Sequence, residues 1–226
     1  MDIKLLVLIA AALAPYILTN AEIIRPCNLR DYRCIGDNLQ ANSYCRRPVK
    51  GSIPRQYGVP EFRFETPYFN ASYIDRNLIV RNQDRCYVSE FLINTDLNQA
   101  VLGIDCPNFD LESDRVLIQH QPLFNDAIYR FHVRGVYPLI RMTVVMPVGN
   151  MDLCEATTLT EVLGLPNLNV QPQDRPTANF LTRDLTLLNV YETESFYYRG
   201  VPISRIFVES LLCDYGCEIV GLNGLP

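Results

Sequence analysis

The stretch Tyr129–Met146, YRFHVRGVYPLIRMTVVM, decides the fold class. Tyr129, Phe131 and Val133 alternate with Arg130, His132 and Arg134. That period of two belongs to a strand with one dry face and one wet face. Leu139 to Met146 repeats it, and Gly135 between the two runs predicts a hairpin connection. Upstream, Tyr73–Arg81 and Cys86–Asn94 are rich in β-branched and aromatic residues. Ala100–Ile104 and Arg115–Gln119 continue the pattern, with a turn at Asp96-Leu97-Asn98-Gln99. Leu185–Tyr191 reads as one more strand. Between Asn28 and Arg47, Leu29, Tyr32, Ile35 and Leu39 recur at spacings of three and four. That spacing predicts an amphipathic helix with Cys34 near its buried face, ended by Pro48, Gly51 and Pro54. Pro166–Pro176 holds three prolines and reads as a loop or extended crossing. Ile203, Ile206, Phe207, Val208, Leu211 and Leu212 suggest a short C-terminal helix opened by Pro202. The expected architecture is α+β, a single domain in which a curved antiparallel sheet carries an N-terminal helix and a short C-terminal helix.

The chain has 226 residues, 48% of them hydrophobic and 20% charged, which suits a folded domain with a sizeable core. Its formal charge is −5 and it has no Lys/Arg-rich run, so nucleic acid is a poor partner. Lys4 precedes the apolar run Leu5–Leu18, which Pro15 interrupts. The run falls short of the roughly 20 apolar residues of a membrane span. It reads as a secretory signal cleaved after Thr19-Asn20-Ala21, so residues 1–21 are the expected signal and 22–226 the secreted domain. The mature form is then expected in the extracellular space, free of the membrane.

All eight cysteines, Cys27, Cys34, Cys45, Cys86, Cys106, Cys154, Cys213 and Cys217, follow that cleavage site. An even count in a secreted chain reads as disulfides, and spacing alone gives no connectivity. Asn70-Ala71-Ser72 is the only glycosylation sequon. No G-x-S-x-G elbow and no Gly-rich phosphate loop occur. His120 and His132 lie in no motif and read as surface or hydrogen-bonded histidines. Asp105, Asp110, Glu112 and Asp114 read as a solvated strand edge rather than a catalytic carboxylate pair. No enzyme activity, cofactor or metal is expected. Eighteen of the twenty basic residues are arginines. Arginine favours planar, bidentate partners and aromatic faces, so an Arg/Tyr-bearing contact surface stands beside a merely compositional bias.

Several segments resemble the fibrohexamerins, the glycoprotein subunits of moth silk fibroin. They include RPCNLRDYRCIGDNL at 25–39, IPRQYGVPEFRFETPYFNASYID at 53–75, RNQDRCYVSEF at 81–91, DCPNFDLESDR at 105–115, YPLIRMT at 137–143 and DRPTANFLTRDLTLLNVYE at 174–192. A looser similarity reaches the insect carriers of the juvenile-hormone-binding and takeout type. It rests on CNLRDYRC, Gln56/Tyr57, Asp152-Leu153-Cys154-Glu155 and the paired C-terminal cysteines. The resemblance implies about half of a tubular lipid-binding fold. It also implies a silk-gland lumen glycoprotein that joins fibroin heavy and light chains non-covalently, several copies per complex, and aids their assembly, solubility and secretion. The alternative it implies is an extracellular carrier of a small apolar ligand. It further implies that Cys27 pairs with Cys34 and Cys154 with Cys213 or Cys217. Taken with Cys86–Cys106 across the 96–99 turn, the expected set is completed by Cys154–Cys213 and Cys45–Cys217. The carriers end in a long helix packed inside the sheet. The early end of this chain after Cys217 predicts a short one and leaves open whether a ligand cavity persists. Within the 174–192 match, Arg175 and Arg183 are the candidate partner contacts, in a loop and a strand.

Overall fold

A computed structural model describes residues 24–183 and 185–218, with the side chains of 183 and 185–187 outside the description. The expected signal segment lies outside the described residues. The order of elements is α1 (Tyr32–Ala41), β1 (Gln56–Thr66), β2 (Ala71–Arg81), β3 (Tyr87–Asn94), β4 (Gln99–Gln119), β5 (Ala127–Pro147), β6 (Thr157–Val162), β7 (Asn167–Pro172), α2 (Arg175–Arg183) and α3 (Leu185–Leu211). All strand pairings are antiparallel, in the order β1-β2-β4-β5-β6, with β3 on β4 and β7 on β5. The class is α+β; among the described residues there are a curved antiparallel sheet of seven strands and three α-helices.

Two strands of 21 residues, β4 and β5, form the spine. Each reaches about 70 Å at 3.3 Å per residue and is too long for one neighbour. Accordingly β4 holds β3 along 99–105 and β2 along 110–119, while β5 holds β7 along 131–136 and β6 along 140–145. The hairpin expected at Gly135 is therefore one continuous strand. Gly135 is needed for space rather than for a turn. A Cβ there would meet the Tyr137 ring at 3.0 Å and Leu168 at 2.9 Å. Pro138, which has no N–H to give, falls between the β7 and β6 segments and opposite Asn108, φ 50°, where the ladder skips one pair without a change of register. Ala100–Ile104 and Arg115–Gln119 likewise join into β4. The sequence reading missed β1. Its Phe62 and Phe64 face inward between Glu61, Arg63 and Glu65, and Pro60 drops out of the ladder on an edge strand.

The C-terminal region departs most from expectation. Leu185–Tyr191 is helical, and α3 runs 27 residues with Pro202 inside it. Its buried stripe, Leu188, Glu192, Ser195–Phe196, Arg199–Gly200, Ile203–Ser204 and Phe207–Val208, follows helical spacing but is interrupted by charged and hydroxyl residues. Those interruptions hide the period from a search for apolar residues. Gly200 lets the helix approach β6 closely, since a Cβ there would stand 1.9 Å from the Thr160 hydroxyl. Of the Pro166–Pro176 segment read as a loop or extended crossing, Asn167–Pro172 is strand β7, and Asp174-Arg175-Pro176 is a helix start. Asp174 caps α2 by accepting from the Thr177 N–H at 2.7 Å, and Pro176 sits in the first turn.

The disulfides are Cys27–Cys34, Cys86–Cys106, Cys45–Cys213 and Cys154–Cys217, with no free cysteine. The expected pairs Cys154–Cys213 and Cys45–Cys217 are therefore corrected. A short ribbon is the cause. Arg46 N–H donates to the Asp214 carbonyl at 2.9 Å, Asp214 N–H to Arg47 at 2.9 Å and Val49 N–H to Leu212 at 3.0 Å. That register sets Cys45 beside Cys213. Tyr215 then donates to the Met151 carbonyl at 2.8 Å and carries the chain on to Cys154. Non-reducing proteolysis with mass spectrometry should return peptides linking 45 to 213 and 154 to 217; a 45–217 peptide would refute this register. Cys45–Cys213 spans 168 residues and Cys27–Cys34 spans 7. Removing the first pair should cost about 5 kcal/mol and the second about 2.5 kcal/mol in denaturant unfolding, on chain entropy alone.

Candidate functional site

A sheet that curves around a helix offers two places for function, the interior between them and the outer surfaces. The interior is occupied by a closed ring of four charges. Arg115 on β4 donates to Asp75 on β2 at 2.6 and 3.0 Å and also to Glu192 on α3. Arg199, two turns further along α3, approaches Asp75 at 3.3 Å and Glu192 at 3.6 Å. Each cation touches both acids, and the ring is neutral. All four side chains are almost fully excluded from water. Ser113 donates to Asp75 at 3.0 Å and Tyr137 to Glu192 at 3.1 Å. Phe64 lies under both guanidiniums, with Tyr73 beside Arg115 and Phe196 beside Arg199.

The electrostatics follow from this geometry. Burial by itself would push the Asp75 carboxyl up, but Arg115 and Arg199 hold it below the usual carboxylate range. Burial pushes the Tyr73 phenol up to about 12 and raises Tyr137 further, so both stay protonated. Beside the ring, the space enclosed by Val59, Phe62, Leu78, Leu111, Ile203 and Ile206 is about 20 Å³, room for one water and far below a ligand site. The long helix thus does pack inside the sheet, and its own side chains fill the interior. A larger space of about 960 Å³ is an open groove between β7 and the α2–α3 helices, lined by Leu168, Val170, Leu181, Leu188 and several polar groups.

The four acids expected on a solvated edge stand on the central strand β4, where they form a cross-strand ladder on its outer face. Asp105 and Asp110 are buried. Asp105 takes two bonds from Arg141 at 2.7 and 2.8 Å, which lower its carboxyl. Asp110 takes two from Arg134 at 2.7 and 3.2 Å. Glu112 meets Arg81 at 2.7 Å, and His132 stands between Glu112 at 3.4 Å and Asp114 at 3.1 Å. The arginine bias is thus spent largely on intramolecular carboxylates, where a planar fork fits and a lysine does not.

Asn70 is exposed at the β1–β2 turn, in the left-handed region at φ 48°. It is not in an extended segment. Its side-chain amide donates to the His120 carbonyl at 3.0 Å, and its own carbonyl accepts the His120 N–H at 2.9 Å. The His120 ring also links Ser72 Oγ at 2.7 Å to Asp126 at 2.9 Å. The order Ser–His–Asp matches a hydrolase relay. However, β2 is bonded to β1 and β4 on both edges at Ser72, which leaves no pair of free N–H donors for an oxyanion. Arg175 is exposed at the first residue of α2, and Arg183 ends that helix with its side chain outside the described residues. The two are thus on one helix rather than in a loop and a strand.

Among the described residues, the protein is a disulfide-stapled antiparallel sheet with a long helix packed along its inner face. Comparison with known proteins sharpens that class. Residues 23–217 match the Fibroin P25 family, to which this chain belongs. It is 55% identical to Fibrohexamerin of Galleria mellonella over 198 residues, covering 87% of this chain and 91% of that one. Among solved structures, Takeout 1 of Epiphyas postvittana is similar at a TM-score of 0.42 and 8% identity, covering 68% of this chain and 74% of that one. The chain is thus a silk fibroin-associated type of protein.

The ring yields a graded prediction. Arg199→Met leaves Asp75 and Glu192 undercompensated in the interior and should cost about 3–5 kcal/mol in urea unfolding. Arg134→Ala on the outer face leaves Arg81 near Asp110 and should cost about 1 kcal/mol or less. Equal losses would mean the ring carries no special weight. Because the folded Asp75 carboxyl lies below its unfolded value, its contribution is present above the ordinary carboxylate range and is lost as pH falls through the folded value. Circular dichroism should therefore show acid unfolding below about pH 4, and Asp75→Asn should flatten that acid limb.

Proposed function

We propose that this chain is a secreted silk glycoprotein. Residues 1–21 are removed as a signal, and the remaining 22–226 carry a glycan at Asn70. In the silk-gland lumen several copies associate non-covalently with fibroin heavy and light chains and support their assembly, solubility and export. The carrying observation is membership of the Fibroin P25 family along residues 23–217. Two structural features support it. All eight cysteines are paired within the chain, so association with another chain has no thiol to use. The interior is filled, which leaves outer surfaces for contact and makes the carrier alternative the weaker reading. Arg175 is the proposed contact, because an exposed guanidinium can donate to backbone carbonyls of a partner with few side chains. The copies act together through contacts that are individually weak.

Depleting this chain in silk glands should lower heavy-chain export and leave the retained heavy chain less soluble. Unchanged export, together with a lipid or hormone co-purifying with the protein, would replace this reading with the carrier one. Arg175→Ala should reduce the fibroin recovered by co-precipitation without changing the thermal midpoint.

A further inference from the structure

Among the described residues, the four most exposed large apolar side chains are Leu123 at 88%, Leu165 at 81%, Tyr68 at 80% and Phe124 at 78%. Three of the four belong to two neighbouring loops at one end of the sheet. Tyr68 lies in the β1–β2 turn. Leu123 and Phe124 lie in the β4–β5 turn. These loops are tied together by two Asn70–His120 bonds, the His120 N–H donating to the Asn70 carbonyl at 2.9 Å and the Asn70 side-chain amide donating to the His120 carbonyl at 3.0 Å. The sequon asparagine therefore stands at the seam of an apolar tip. Exposed apolar side chains gathered at one place are a liability for a soluble protein unless something covers them.

We propose that the glycan on Asn70 covers this tip, lying over Tyr68, Leu123 and Phe124 and preventing copies of the folded protein from associating there. The proposal rests on the glycosylation reading above. The geometry suits it in three ways. Asn70 is exposed and placed by its left-handed backbone in the turn itself. Glycosylation replaces one of its two amide hydrogens and leaves the other to donate to the His120 carbonyl, so the clamp survives. Tyr68 and Phe124 present aromatic faces, whose negative quadrupole attracts the polarised C–H groups of a sugar ring. A membrane is a poor alternative occupant. Neither Thr66–Ser72 nor Gln119–Ala127 contains a Lys or Arg, and Asp126 adds negative charge.

The test uses the full chain secreted from insect cells, trimmed in its folded state by an endoglycosidase that leaves Asn70 intact. Intact mass reports the glycan before and after. Trimming should raise the fluorescence of a polarity-sensitive dye by roughly twofold and shift sedimentation toward dimers. The trimmed double variant Leu123→Ser/Phe124→Ser should stay at the untrimmed level in both. A mass loss with no change in dye binding or sedimentation would overturn the cover while sparing the glycosylation reading. An untreated mass equal to that of the bare polypeptide would overturn both. An equal rise in the trimmed double variant would move the exposed surface elsewhere and overturn the proposal as well.

Discussion

Helix α3 can lie along the inner face of the sheet only because its two buried charges are answered there. Glu192 and Arg199 are seven residues apart, two turns on one face, and meet Arg115 and Asp75 on two adjacent strands. A charge moved from water to this interior costs several kcal/mol, and no member is affordable without the others. The ring therefore fixes the rotation of the helix and its axial position together. An apolar stripe alone would tolerate a slide of one turn. With the helix in place, Phe196 packs against Tyr137 and Phe109, and the interior closes.

The same long helix that could border a ligand chamber here fills the chamber with its own side chains, leaving about 20 Å³ beside the ring. The exterior carries the Arg–carboxylate ladder over β4 and β5, the exposed end of α2, and the tip around Asn70.

How much of this was legible in the sequence depended on which signal each element carried. β5 has an outer face of Arg and His and an inner face of apolar residues, so its period of two is plain. Its unbroken length was not, because Gly135 and Pro138 carry turn signals that tertiary context overrides. β1 was lost to Pro60, which an edge strand tolerates. α3 was lost because its buried stripe contains Glu192, Ser195, Arg199 and Ser204, and a polar residue reads as exposed until its partner on a distant strand is known. The same blindness put Asp105 and Asp110 at a solvated edge. The α2 start was within reach, since Asp174 followed by Pro176 is a capping signal. The two exchanged disulfides were out of reach, because they follow from a ribbon between the two ends of the domain that no local pattern records. The sequon stood in the sequence itself, but not its place at the seam of two loops.

The Cys45–Cys213 bond also has a mechanical meaning. A pull applied to the two ends of the described chain follows the shortest covalent path, through Cys27–Cys34, along α1 to Cys45, and directly across to Cys213. Everything from residue 46 to residue 212 hangs off that path as a side loop and bears no tension. The sheet, the ionic ring and the Asn70 tip all lie inside the loop. In an extruded and stretched material the domain can be drawn taut at its ends while its fold, and the surfaces it presents, remain unloaded.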